Sequence, residues 1–346
     1  MEIDLDTFLT TVYCHIDDVY QTQFAAQKPC RCGHQPEMSD SEVLTIAVLS
    51  HWQERSSERG FVRYVRAHWQ AYFPRMLSQS AFNRRVRDLT HVLETLGPTL
   101  ASQITSSLVP GAVYEVLDGV PVPVMRRCRG ERHRLFGDEA GVGRGGTDRE
   151  WYYGMRLLTV VNSQGLITGF VLGPASTDER WLADAVLRWR VNPTAPPPSL
   201  EDLNPILGAW KRRDQRRGPT GPLSSQWSAG LPPRLPVLAD LGFRGEAWQA
   251  HWRDHYGVLV VTERVYEAVT DEQQRQQWSD WLHAHRQIIE TVNDLLDRVL
   301  HLKAPRARTF AGLRARIGAK VAACNLLIAC NAQADRPLFA HFSPLA

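Results

Sequence analysis

Three carboxylates sit where their surroundings suit chemistry. Asp118 follows Val116 and Leu117 in AVYEVLDGVPVPV, Asp240 closes PVLAD, and Glu290 lies in HAHRQIIETVNDLLDRVL. Far apart along the chain, they meet only if folding brings them together. Three acids at one sheet end would offer hard oxygen ligands to Mg²⁺ or Mn²⁺, with positions left for water and phosphate. Two such ions roughly 4 Å apart can activate an attacking oxygen and stabilise a departing one, with no covalent protein nucleophile. Each acid also has a plainer role open to it. Asp118-Gly119 is a turn signal, Asp240 suits a helix cap, and a charged helix face is ordinarily solvated.

The elements that must position these acids can be read from period and punctuation. In the stretch 283–300, Ile288, Val292, Leu295 and Val299 recur at steps of three and four, an apolar stripe that docks a helix. At about 100° per residue Glu290 falls opposite, with Arg286 one turn earlier and Asn293, Asp294 and Asp297 on its side. Residues 1–110 read as helical. Ser39 and Glu42 form a capping-box pattern before Val43, Leu44, Ala47 and Val48. Phe82, Val86 and Leu89 give a short helix that displays Arg84, Arg85 and Arg87. Arg55, Arg59, Arg63 and Arg66, interleaved with Trp52, Phe61, Tyr64 and Trp69, suggest a basic and aromatic surface suited to a phosphate backbone.

After Pro110-Gly111 the pattern changes to strand runs. Asp118 lies on the first; a basic, glycine-rich loop over about 126–150 follows, then strands in YYGMRLLTVVN and GLITGFVLG joined by a short link. A helix capped at Thr177 or Asp178 carries Trp181 and Trp189. Residues 191–236, rich in Pro and Arg, have no strong period and read as an insertion. PVLAD, a helix with Trp248 and Trp252, the apolar run GVLVVT and a last helix from about Ala311 to Cys330 complete a mixed α/β arrangement.

Composition narrows the class. The 346 residues are 43% hydrophobic and 22% charged, with a net charge of +3, as expected of a globular chain whose basic groups are clustered rather than abundant. The first residues, MEIDLDTFLT, do not form a signal peptide, and no apolar run reaches the roughly 20 residues that span a bilayer. A cytoplasmic location without membrane contact is the expectation. Six cysteines in so long a chain do not make a disulfide framework. Cys30, Cys32 and His34 are too tightly spaced for an ordinary zinc site and read as reduced cysteines.

LDGVPVPV, VLADLGFRG and RQIIETVNDLL, in that order, resemble the three acidic motifs of bacterial insertion-sequence transposases of the DDE type. The resemblance runs from about residue 38 to the end and takes in MSDSEVLTIAVL and the FNRRVR helix. It implies a ribonuclease H-like mixed five-stranded sheet flanked by helices over residues 111–346, preceded by a helix-turn-helix-like, all-α DNA-binding region over 1–110. Asp118, Asp240 and Glu290 would be catalytic and would hold two Mg²⁺ or Mn²⁺ ions. Arg286 matches a family arginine that contacts DNA phosphate; Arg156 stands where the family usually has lysine. The family signature's tyrosine and lysine positions hold His283 and Asp297, with Arg298 beside the latter as a substitute. Arg126 and Arg127 in the basic loop, with Arg84, Arg85 and Arg87, complete the expected DNA contacts. The activity implied is cleavage at element ends and strand transfer by a 3′-OH, in a homodimer on double-stranded DNA. A metal-dependent nuclease that does not rejoin strands, and a catalytically idle DNA-binding regulator, are the alternatives.

Overall fold

The computed structural model describes residues 4–27, 36–52, 57–133, 135–145, 150–191, 225–228, 235–262 and 272–340. Cys30, Cys32, His34, Arg55 and most of the 191–236 insertion lie outside them. The chain forms two compact units: residues 1–109, 295–302 and 309–346 make the first, and 110–294 with 303–308 the second. One boundary falls between residues 109 and 110, and the last helix, expected with residues 111–346, groups with the N-terminal helices.

The first unit is all-helical among its described residues: α1 (Leu5–Gln23), α2 (Asp40–Leu49), α3 (Glu58–His68), α4 (Gln79–Asp88), α5 (Thr90–Ser107), a π-helical turn (Leu295–Val299) and α10 (Phe310–Gln333). Side chains cap most of these starts. Ser39 Oγ accepts from Glu42 N at 3.1 Å while Glu42 Oε2 accepts from Ser39 N at 2.6 Å, the reciprocal pair expected from the sequence. Ser57, Ser78 and Thr309 do the same single-sidedly for α3, α4 and α10. The core is built on α10, buried from Leu313 through Cys330 on nearly every side. It crosses α5 closely: a β-carbon on Gly318 would lie 2.5 Å from Leu93 O, and one on Gly97 would lie 2.6 Å from Val321 Cγ1. Only hydrogen fits there. Asn325 Nδ2 donates to Gly97 O at 2.8 Å, and Arg314 grips Glu94 with two 2.6 Å bonds.

Two expectations for this unit change. The aromatic part of the basic surface is interior, since Trp52, Phe61 and Trp69 are buried while Arg59, Arg63 and Arg66 are exposed; burying each ring removes a large apolar area from water. On α4, anchored by buried Phe82, Arg84 and Arg87 face outward, but Arg85 turns inward to pair with Asp40, which also accepts from the Tyr20 hydroxyl.

The second unit is built on a mixed α/β sheet flanked by helices. Its strands are β1 (Glu115–Arg126), β2 (Gly141–Gly145), β3 (Glu150–Asn162), β4 (Ile167–Pro174), β5 (Ser225–Ser228), β6 (Val237–Leu238) and β7 (Val260–Val261). They run in the order β5-β4-β3-β1-β6-β7, with β2 also on β3. β1, β3, β4 and β5 alternate in direction, and β6 and β7 run parallel to β1. The sheet therefore has two strands more than the five expected. One, β2, lies in the glycine-rich stretch read as loop, which also contains helix α6 (Arg127–His133); the other, β5, lies in the insertion. Neither shows periodicity, because both are held by pairing with strands distant in sequence.

Helices α7 (Glu179–Val191) and α8 (Glu246–Tyr256) share one core with the sheet through Trp181, Trp189, Trp248 and Trp252 against Leu117, Leu158, Val160 and Val237. Asp178 Oδ1 accepts from Arg180 N at 3.0 Å at the start of α7. Helix α9 (Glu272–Asp294) begins eleven residues before the expected stretch and buries Leu282, Ile289 and Val292, so Ile289, rather than Ile288, is on the docked face. A buried pair, Arg190 with Glu115, also bonded to Thr168, ties α7 to β1 and β4.

Candidate functional site

The site is formed where β1 outruns β6. Glu115 N donates to Pro236 O on the β6 side, and β6 pairs with β1 only through Glu115↔Val237 and Val116↔Leu238. Pro121 and Pro123 share the parity of Glu115, so the N–H groups they lack would point past the end of β6, where no strand needs them. The same register positions the two aspartates. Asp118 lies two residues beyond Val116 and Asp240 two beyond Leu238, which sets them side by side on neighbouring parallel strands. Asp240 also caps the short turn after it, Oδ1 accepting from Gly242 N at 2.8 Å.

α9 brings the third acid. Asn293 Nδ2 donates to Asp118 Oδ2 at 3.1 Å, so the polar side of α9 faces the β1 aspartate. Arg286, Glu290 and Asn293 recur at steps of four and three on that side. Burial pushes the Asp118 carboxyl up to about 6, with Asp240 and Glu290 adding to the rise and the Gly119 backbone and Arg286 opposing it. Asp240, Glu290 and Arg286 thus all lie within electrostatic reach of Asp118. Among the described residues, however, no three His, Cys, Asp or Glu side chains already stand as a metal-binding group.

A fourth acid, missed in the sequence, completes the cluster. Glu179 opens α7, and its carboxyl is pushed up to about 7 by burial, with Asp240, Asp118 and Asp178 contributing and Arg156 opposing. Arg156 Nη1 pairs with Glu179 Oε1 at 3.1 Å, and its guanidinium also donates to Thr177 O and Arg144 O. Arg156, expected at DNA, thus makes these contacts within the fold. The signal for Glu179 lay in the glycines that follow both aspartates: a β-carbon on Gly119 would be 2.8 Å from Glu179 Oε1, and one on Gly242 would be 3.2 Å from Glu179 Oε2.

The other expected DNA contacts are not gathered here. Arg126 and Arg127 are exposed at the end of β1 and the start of α6, where Arg127 lies 5.1 Å over the exposed Trp151 ring. Arg298, Arg84, Arg85 and Arg87 are in the first unit.

The chain matches no known protein family, curated protein or solved structure.

Carboxyls held above their ordinary range imply a stability that depends on pH. In the unfolded chain Asp118 and Glu179 ionise near pH 4, but in the folded chain only near about 6 and about 7. Between those limits the folded state holds more protons, so its stability falls as pH rises from about 4 to 7, by on the order of 2 kcal/mol per carboxyl. We expect the melting temperature without divalent ions to be several degrees lower at pH 7.5 than at pH 5, and Glu179→Gln to flatten that slope; thermal unfolding across pH checks both.

Proposed function

We propose that this chain is a DNA transposase of the DDE type with a ribonuclease H-like core. The observation that carries the reading is the β1–β6 register, which sets Asp118 beside Asp240 while α9 brings Glu290 and Arg286 within electrostatic reach of Asp118. The mixed sheet flanked by helices lends support: antiparallel β5, β4, β3 and β1 continue into parallel β6 and β7, and the motif resemblance implies a mixed sheet of this general kind.

The residues present fit a hard divalent cation. Their donors are carboxylate oxygens, and Asn293 Oδ1, beside Asp118, is buried without a hydrogen-bond partner among the described residues. Asp118, Asp240 and Glu290 would hold Mg²⁺ or Mn²⁺, which when bound would activate a water or 3′-OH and stabilise the departing oxygen. Asn293 orients Asp118 through its amide. Arg286, whose Nε is buried without a partner among the described residues, is placed to take a phosphate oxygen. In the first unit, Arg59, Arg63, Arg84 and Arg87 offer an exposed basic surface for duplex DNA. As in the family resembled, a homodimer would join two element ends. No described helix is long and apolar enough to cross a membrane.

The test is direct. Purified protein, incubated with Mg²⁺ and duplexes carrying the sequences that flank its coding region, is expected to yield 3′-OH cleavage and joined strands, both abolished by EDTA. Cleavage without joining would make it a nuclease. Specific binding with neither product would make it a DNA-binding regulator.

A further inference from the structure

Glu179 sits at the one point that touches both aspartate motifs. Its Oε1 lies 2.8 Å from where a Gly119 β-carbon would stand. Its Oε2 and Asp240 Oδ1 both lie within 3.2 Å of where a Gly242 β-carbon would stand. The glycine after Asp118 and the glycine two after Asp240 therefore leave the space that this carboxylate fills. Any larger residue at either position would drive it out.

An independent feature points to an occupant. Thr159 is fully buried and lies directly across from Asp118 in the β1–β3 register, so both side chains are on one face with β-carbons ~5 Å apart. Its hydroxyl has no hydrogen-bond partner among the described residues. A buried hydroxyl is rarely left so unless a polar species belongs beside it. A hydrated cation beside Asp118 would supply one on the α9 face of the sheet, while Glu179 approaches the same strand ends from the α7 face, to which a Gly119 β-carbon would point.

Resting on the metal-site reading above, we infer that Glu179 is a fourth metal-ligating carboxylate, shared between the Asp118 and Asp240 positions. Arg156 is its resting counter-ion, releasing Oε1 when a divalent cation arrives. Glu179 thus ties α7 to the site, so the site draws on three layers of the second unit: sheet, α7 and α9. Arg156 accordingly acts on metal occupancy rather than on DNA directly.

Mn²⁺ binding to the full-length protein, followed by electron paramagnetic resonance and calorimetry without DNA, tests this apart from activity. Glu179→Gln is expected to weaken Mn²⁺ binding at least about tenfold. Gly119→Ala keeps all four acids but displaces the carboxylate and is expected to act in the same direction, which guards against misfolding of the first variant. Asp118→Asn is the reference. If Asp118→Asn weakens binding while Glu179→Gln and Gly119→Ala bind as wild type, Glu179 is no ligand and only this inference fails. If none of the three alters Mn²⁺ binding, the metal-site reading fails with it.

Discussion

On the proposed function, Asp118→Asn is expected to abolish strand cleavage and joining while making the protein harder to melt. The substitution keeps the shape of the side chain and an oxygen for Asn293 to donate to, but removes its charge. Losing one ligand of a catalytic cation forfeits around 4 kcal/mol of transition-state stabilisation, roughly a 10³-fold loss of rate. Stability should move the other way. Asp118 is held up to about 6 by burial and by Asp240 and Glu290, so at pH 7.5 its ionisation costs on the order of 2 kcal/mol, which asparagine does not incur. A structural aspartate behaves otherwise: its loss lowers the melting temperature and spares the chemistry. Opposed signs are therefore the signature of a residue kept for function at a cost in stability. Parallel measurement of product formation and thermal unfolding decides it; a variant within tenfold of wild-type rate excludes Asp118 from the chemistry.

The largest structural effect is expected at the α5–α10 crossing. In Gly318→Val the new β-carbon would meet Leu93 O at 2.5 Å, Leu93 C at 2.6 Å and Glu94 N at 2.9 Å, all backbone atoms that cannot rotate aside. The helices must separate, breaking the Asn325–Gly97 bond and loosening the Arg314–Glu94 pair. Overpacking of this kind costs about 3 kcal/mol or more. The urea midpoint should drop sharply, with Gly318→Ala in between; a Gly318→Val midpoint equal to wild type would mean that the helices do not cross so closely.

What was legible in the sequence was local. The Ser39–Glu42 box announces α2 because both its bonds close within four residues, and the strand runs directly before Asp118 and Asp240 stand out because they are apolar and β-branched. Their neighbourhood needed one further fact, the parallel register, which no spacing encodes. Glu179 was hidden for another reason. An acid in the first turn of a helix is what the helix dipole favours anyway, so nothing local marks it as a site residue. The contacts of Arg156 within the fold were not legible because its partners, Glu179, Thr177 and Arg144, come from a helix start, a loop and an edge strand. β2 escaped because Gly-Val-Gly-Arg-Gly has little strand propensity and pairs only because β3 is there.

The allegiance of α10 bears on how this protein is made. The helices formed from residues 4–107 pack around a segment, Phe310–Gln333, that leaves the ribosome only after every strand of the sheet. Until then the first unit lacks its central helix and exposes the apolar faces of α2 and α5 for the whole time the sheet is being translated. Chaperone engagement during translation is the natural consequence, and a nonsense codon between β7 and α10 would strand the N-terminal helices with nothing to close around.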